Sequence, residues 1–301
     1  MKDSLRAHPD LYLLMRGIAH PRQLSPFFRY ERLKSALRQA KLKPLSGKTD
    51  AGQVLVSLTT YGARIQTVDL AIRSLMMQTM KPAAILLWLD KSLSEDMLPP
   101  YLLDLQQYGL RIYYDCEDIL GHKKYWYAMC EYPNQSIITV DDDLVYPKDL
   151  VESLVRTGAK FPDSVIARRV HRIRFDANGS ALPYSSWDYE YKPKESPRAD
   201  LLATTGAGVL YKPFMYKHLV YKWDEIKRVA PTADDLWMKG AEIAAGLDVV
   251  WTPNMCPMPY EIPTVRVHST LSDTNCSHDG NDECFARIMR FFRFSASDFE
   301  G

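Results

Sequence analysis

Val54-Leu55-Val56-Ser57-Leu58 is an almost unbroken apolar run, the pattern of a strand covered on both faces. Apolar residues then recur at helical spacing, at Val68, Ile72, Leu75 and Met76, and predict a helix over 68–77. A second strand is expected at 84–89, a leucine-spaced helix over 98–108 introduced by Pro99-Pro100, and a third strand at 110–114. A helix near 125–131 and a fourth strand from Ser136 to Val140 follow. Strands alternating with helices predict an α/β body, a Rossmann-like and mostly parallel sheet flanked by helices. Ligands of such sheets bind beyond the carboxyl ends of the strands. The regularity fades after Lys160. Residues 171–199, rich in Tyr, Trp, Arg and Pro, are expected to run as a long surface excursion. A strand at Val209-Leu210-Tyr211, a helix over 232–245 and late strands at 249–251 and 264–268 close the pattern.

Composition changes this picture little. The 301 residues are 46% hydrophobic and 25% charged, which is globular and excludes a disordered or collagen-like chain. The longest apolar run, Ala83 to Leu89, is far short of the roughly 20 residues of a membrane-spanning helix. Lys2 and Arg6 precede only a short apolar patch, Leu11 to Met15, without a small-residue cleavage site. No secretory signal is read there, and a cytoplasmic chain is expected. The five cysteines lack C-x-x-C spacing and are expected to stay reduced.

Charge adds more. Residues 1–48 carry 11 Lys and Arg against 3 Asp and Glu, whereas the remainder carries 27 against 34. Pro44-Leu45-Ser46-Gly47-Lys48 is a turn-rich linker. The chain therefore divides into a basic helical N-terminal extension, 1–48, and an α/β domain, 49–301. With Leu11 to Met15, Phe27 and Phe28, the extension suits peripheral contact with an anionic membrane; packing on the body as a helix is the alternative. The acidic body lacks a basic stripe interleaved with aromatics, which argues against nucleic acid.

The candidate chemistry gathers at strand ends. Asp141-Asp142-Asp143 follows the apolar strand directly, and Asp141 and Asp143, two apart in extended chain, share a side. Held together they repel unless a cation intervenes, which suits a hard divalent metal with phosphate oxygens, or else the run is an acidic cap of the next helix. Thr59, Tyr61 and Arg64 follow the first strand, where Arg64 can pair with a phosphate. Lys123 and Lys124 stand before a helix where they can neutralise diphosphate charge. Gly206-Ala207-Gly208 is a small-residue turn that permits close approach to a ligand or simply a tight turn. Asp234 and Asp235 open a helix; Thr232 with Asp235 reads as a capping box, and either acid as a general base. His268 or His278 can complete a metal shell. Tyr184, Trp187, Tyr189 and Tyr191 can form a platform for sugar rings.

In order, these pieces resemble a glycosyltransferase of the GT-A fold, from about residue 53 to about residue 266. The matches are VSLTTYGARI, the DXD-type Ile138-Thr139-Val140-Asp141-Asp142-Asp143, and the pair GAGVLY and ADDLW. The likeness is to bacterial family-2-like transferases of polysaccharide clusters and, more distantly, to exostosin-type transferases. It implies a GT-A-like domain that moves a sugar from a nucleotide-sugar, UDP by frequency, to a glycan or lipid-linked acceptor in surface polysaccharide synthesis. By that resemblance Asp141 would meet the ribose or the metal, and Asp143 would bind Mn²⁺ or Mg²⁺ at the diphosphate. Thr59, Tyr61 and Arg64 would line the nucleoside pocket, and Gly206, Ala207 and Gly208 would border sugar and acceptor. Asp234 or Asp235 would be the base of an inverting displacement.

Three other readings compete. A nucleotidyltransferase making sugar nucleotides would open with a Gly-rich phosphate loop, which Leu58-Thr59-Thr60-Tyr61-Gly62 is not. A phosphoester hydrolase would place histidines near the acids, and none lies between Lys123 and Arg169. A non-catalytic carbohydrate-binding protein would explain the aromatics but not both acid motifs.

Overall fold

The computed structural model describes residues 24–45, 54–216, 222–253, 258–263 and 280–300. It begins with helix α1 (Leu24–Gln39) and alternates through β1 (Val54–Thr59), α2 (Val68–Met76), β2 (Ala84–Asp90), the short α3 (Pro100–Leu103), β3 (Leu110–Cys116), α4 (Lys123–Glu131) and β4 (Ser136–Thr139). Next come β5 (Leu144–Val145), α5 (Leu150–Lys160), β6 (Val165–Ala167), β7 (Val170–Arg172), β8 (Leu201–Ala203) and β9 (Val209–Tyr211). Helices α6 (Trp223–Val229) and α7 (Asp234–Ala245), strands β10 (Val249–Trp251) and β11 (Tyr260–Glu261), and helix α8 (Gly280–Phe292) complete it.

Among the described residues, seven strands make one sheet in the order β10-β6-β9-β4-β1-β2-β3. Pairing is parallel except at β9, which runs against both β4 and β6. This is the α/β class expected from the alternation. The central position of β1 explains its composition. Val54, Val56 and Leu58 face one apolar layer with Ile72 and Leu75 of α2, while Leu55 faces the other with Met129 of α4. The polar break in the run, Ser57, points to that second layer, where its hydroxyl donates to the Lys124 carbonyl and accepts from Trp88 Nε1 at 2.8 Å.

Reversal of β9 matters for function. Its amino end, the loop Thr204 to Gly208, meets the carboxyl ends of β1 and β4 on one edge of the sheet. The amino end of α7 arrives at the same loop. Two small ribbons, β5 with β11 and β7 with β8, flank that edge.

Two expectations need correcting. The helix over 98–108 is one turn of α3 followed by a 3₁₀ segment, Asp104–Tyr108, ended by Gly109 at φ +110° with Leu45 packed against it. The excursion over 171–199 begins in a hairpin, because β7 pairs with β8 across it. The strand expected at 264–268 lies outside the described residues.

The described part of the basic extension packs on the body. Tyr30 and Leu37 of α1 are buried with Leu70 of α2. Arg38 makes a two-pronged pair with the fully buried Asp69, Nε to Oδ2 at 2.9 Å and Nη2 to Oδ1 at 2.8 Å, and stacks 4.2 Å over the Tyr101 ring. Phe28, Arg29 and Arg32 face outward. No described helix is long and apolar enough to cross a membrane.

Candidate active site

The acid run follows β4, with Asp142 and Asp143 in a turn, so the three carboxylates take different partners. Asp142 is buried and accepts from Thr60 Oγ1 at 2.6 Å and Arg64 Nη1 at 2.8 Å. It welds the loop after β1 to the loop after β4. Arg64 also lies 3.4 Å from Asp143 and 4.8 Å over the Tyr61 ring, which is 40% exposed. Of the first-strand residues, Thr59 spends its hydroxyl on the Trp88 carbonyl at 2.8 Å, and Thr60, rather than Thr59, reaches the acids.

Burial, then the charges of Asp141 and Asp142, push the Asp143 carboxyl up to about 7, outweighing the opposing charges of Arg64 and Lys124. Such an excess of negative charge is what a cation relieves. Asp141 and Asp143 offer hard oxygen donors that fit Mg²⁺ or Mn²⁺, the remaining positions falling to water and phosphate oxygens. Among the described residues no three metal-ligating side chains already converge on one point. His268 and His278 lie outside the described residues.

The glycine turn meets the acids at one atom pair. A Cβ on Gly206 would lie 1.7 Å from Asp141 Oδ2, so only glycine lets this loop rest against that carboxylate. Tyr146, which sequence reasoning missed, ties the two together: its hydroxyl accepts from the Asp141 amide at 2.7 Å and donates to the Gly206 carbonyl. Ala207 and Gly208 do not border the site. Ala207 is fully buried, and Gly208, at φ +110°, packs against Leu150 of α5.

The helix acids converge on the same loop. Asp235 Oδ1 accepts from the Thr205 amide at 2.8 Å, and the Thr205 hydroxyl donates to Asp235 and, at 2.9 Å, to Asp234 Oδ2. The capping box does not form; the N-cap is Ala233, and Asp235 serves a neighbouring loop instead of its own helix.

The two lysines part company. Lys124 Nζ sits 2.7 Å from Asp141 Oδ1 and 3.0 Å from Asp234 Oδ2 with its side chain buried. It bridges the β4 acids to the helix acids. Burial opposes its charge, but those carboxylates outweigh burial and keep it an ammonium. Burial likewise opposes ionisation of Asp234, yet Lys124 and then His122 hold it below the usual carboxylate range. Among the described residues Asp235 has no such cation in contact; burial and the Asp234 charge push it up to about 6.

Lys123 turns away from this constellation, to Asp90 Oδ2 at 2.8 Å and Asp118 Oδ1 at 2.6 Å. Residues one apart on a helix point about 100° from each other, so only one of the pair can face the acids. Asp90 was missed, although it too is an acid at the end of an apolar strand. The aromatic group is split: Trp187 is buried, Tyr191 lies under Arg172 and Arg198, and Tyr184 and Tyr189 remain together near the surface.

Chemically, one edge of the sheet holds a carboxylate pair suited to a cation and, across Gly206 and Lys124, a second carboxylate pair with divergent acidities. Divergent pairs of this kind separate an ionised acid from one poised for proton transfer.

No protein-family model matches the chain, and no curated protein matches it. Among solved structures, it is similar to the mannosyltransferase PcManGT from Pyrobaculum calidifontis in complex with GDP-Man and Mn²⁺, at 10% identity and a TM-score of 0.46, over 95% of this chain and 85% of that one. It is also similar to S. aureus TarS 1-349, at 17% identity and a TM-score of 0.46, over 81% of this chain and 73% of that one. Likenesses at these scores carry no argument about chemistry.

Proposed function

We propose that the chain is a metal-dependent glycosyltransferase with a GT-A-like body from about residue 49 and a basic extension over 1–48. The observation that carries this reading is the meeting of two acid pairs at Gly206 and Lys124, one beside the loop after β1 and the other at the head of α7. A hydrolase or a binding module has no need of both.

In this reading Tyr61 and Arg64 take the nucleoside side of a nucleotide-sugar, with UDP the favoured nucleotide. Asp141 and Asp143 hold Mn²⁺ or Mg²⁺, which when bound offsets the charge that develops on the departing diphosphate. Asp142 binds no metal; it keeps Thr60 and Arg64 in place. Gly206 lets its loop rest against Asp141, which then borders the donor sugar and the acceptor. Asp235 accepts the proton of the acceptor hydroxyl as that oxygen bonds to the anomeric carbon. The bond to the diphosphate breaks with its electron pair leaving on the phosphate oxygen, and the configuration inverts. Lys124 fixes Asp141 and Asp234 without itself transferring a proton.

The acceptor is a glycan or lipid-linked glycan of surface polysaccharide synthesis. The outward Phe28, Arg29 and Arg32 of α1 lie at the inner face of the cell membrane, against anionic headgroups. Thermal unfolding with UDP, GDP, CMP and ADP, with and without Mn²⁺, tests the core of the reading. A ligand at about 100 times its dissociation constant adds about 2.7 kcal/mol. A metal-dependent rise with one nucleotide, lost in Asp143→Asn, is expected. A flat response to all four would sink it.

A further inference from the structure

Arg169 follows β6, whose carboxyl end lies on the same edge of the sheet as the acids. Its backbone and side chain are both fixed to the glycine loop. The Thr204 amide donates to the Arg169 carbonyl at 3.1 Å, and Arg169 Nε donates to Thr204 Oγ1 at 2.7 Å. The next residue, Thr205, is the one that holds Asp234 and Asp235. Arg169 therefore stands one residue along the loop from the proposed base.

Its neighbours make it unusual. Arg168 pairs with Asp149, Arg172 and Arg174 pair with Asp188, and Arg198 pairs with Asp200. Arg169 spends only Nε, on a neutral hydroxyl, and among the described residues its two terminal nitrogens meet no carboxylate. A half-buried guanidinium left this way is a fork preset for a carboxylate or phosphate.

His171 lies two residues on, inside β7, near enough for the Arg169 charge to act on its ring. Its Nδ1 accepts from the Glu190 amide at 3.0 Å, which places the proton of the neutral ring on Nε2. Burial, then the Arg169 charge, lower its pKa to about 4, so the ring is neutral at pH 7 and offers Nε2–H as a donor. The Tyr189 ring, 49% exposed, lies 4.6 Å from His171, and Tyr184 is 5.5 Å from Tyr189. His171 thus stands beside an aromatic wall of the kind that takes the C–H face of a sugar, with Arg169 next to it in the chain.

The geometry points to an anion-recognising subsite at Arg169 and His171 that receives a phosphate or carboxylate carried by the acceptor saccharide or polyol. This rests on the transferase reading, which supplies the acceptor. The acceptor side is favoured over the donor because Arg169 is fixed to the loop that holds the proposed base, and the strand it follows, β6, lies three strands from β1. Tyr61 and Arg64, on the nucleoside side, follow β1.

The test is a ligand-observed NMR titration of the full chain with glucose, glucuronate, glucose 6-phosphate and glycerol 3-phosphate. It is run with UDP and Mn²⁺ saturating, so that the diphosphate position is filled. The anionic ligands are expected to bind about ten- to hundredfold tighter than glucose. Arg169→Gln should erase that difference, Arg169→Lys should keep part of it, and His171→Gln should weaken it. Both Arg169 variants should keep the wild-type unfolding midpoint without ligand and its rise with UDP and Mn²⁺. Equal binding of neutral and anionic ligands, or a preference that survives Arg169→Gln, overturns the proposal. Loss of the UDP response in Arg169→Gln also overturns it, by assigning the guanidinium to the donor. A wild type that answers no nucleotide defeats the transferase reading instead, and the charge preference is then read from the same titration without UDP.

Discussion

Gly206 and Asp141 occupy space that any other pairing would contest: a Cβ at residue 206 would stand 1.7 Å from Asp141 Oδ2 and 2.4 Å from its carboxyl carbon. The intruded group is the end of a side chain, so the loop need not unfold to admit a methyl. Asp141 must swing, and it then leaves Lys124 and the position shared with Asp143. Gly206→Ala is therefore expected to unfold within a few degrees of wild type while losing Mn²⁺-dependent nucleotide stabilisation. Transfer should fall by about 100-fold or more, the usual cost of an ångström's misplacement. Retained activity in this variant would mean that Asp141 is not held where the chemistry needs it.

Lys124 is the only cation in contact with Asp234 among the described residues. Lys124→Met leaves that acid in a buried place without its cation, and loss of one partner of a buried pair costs about 3–5 kcal/mol. Asp141 is more exposed and contributes the smaller part. Adding Asp234→Asn to Lys124→Met should recover stability, because the orphaned charge is gone. Urea unfolding of the two single variants and the double variant checks this; strict additivity would deny the coupling.

Much of the sheet is readable in the chain because its central strands are covered on both faces. Val54 to Leu58 and Ala84 to Leu89 need no partner information to be recognised, and the acids after Val140 are conspicuous for following such a run. The hairpin of β7 and β8 was not readable, since Val170-His171-Arg172 is three residues long and two of them are polar. The candidate site was legible as a set of motifs and illegible as a geometry. Nothing local distinguishes Lys123 from Lys124, or says that Asp235 serves an amide 30 residues away instead of its own helix. Arg169 gave no signal at all: its meaning comes from the carboxylates that its neighbours have and it lacks.

Arg38 and Asp69 make the extension part of the folded body. Asp69 is fully buried and, among the described residues, keeps only the Arg73 cation, at 3.5 Å, once Arg38 is removed. Arg38→Ala should cost about 1–3 kcal/mol in urea unfolding, and Arg38→Lys should recover little of it, because an ammonium cannot make the two-pronged pair. Membrane contact is then best probed without truncation. Replacing the outward Phe28, Arg29 and Arg32 by Ser, Gln and Gln should abolish co-sedimentation with phosphatidylserine vesicles at an unchanged unfolding midpoint. Undiminished sedimentation would remove α1 from the membrane.

The choice between Asp234 and Asp235 as base can be made from the pH profile. Asp234 is held below the ordinary carboxylate range by Lys124, whereas burial and Asp234 push Asp235 up to about 6. A base must be ionised to act, so with donor and Mn²⁺ saturating, kcat should rise tenfold per unit below pH 6 and level off above pH 7. Stability carries the same titration with its own sign. A carboxyl whose folded pKa is raised binds its proton more tightly when folded. It therefore stabilises below the ordinary carboxylate value, near 4, and loses that contribution as pH rises through 6. The stability difference between wild type and Asp235→Asn should accordingly fall between pH 4 and pH 7, and Asp235→Asn should cost about 100-fold or more in kcat with nucleotide binding intact. A kcat flat down to pH 5, with full activity in Asp235→Asn, would assign the base to Asp234.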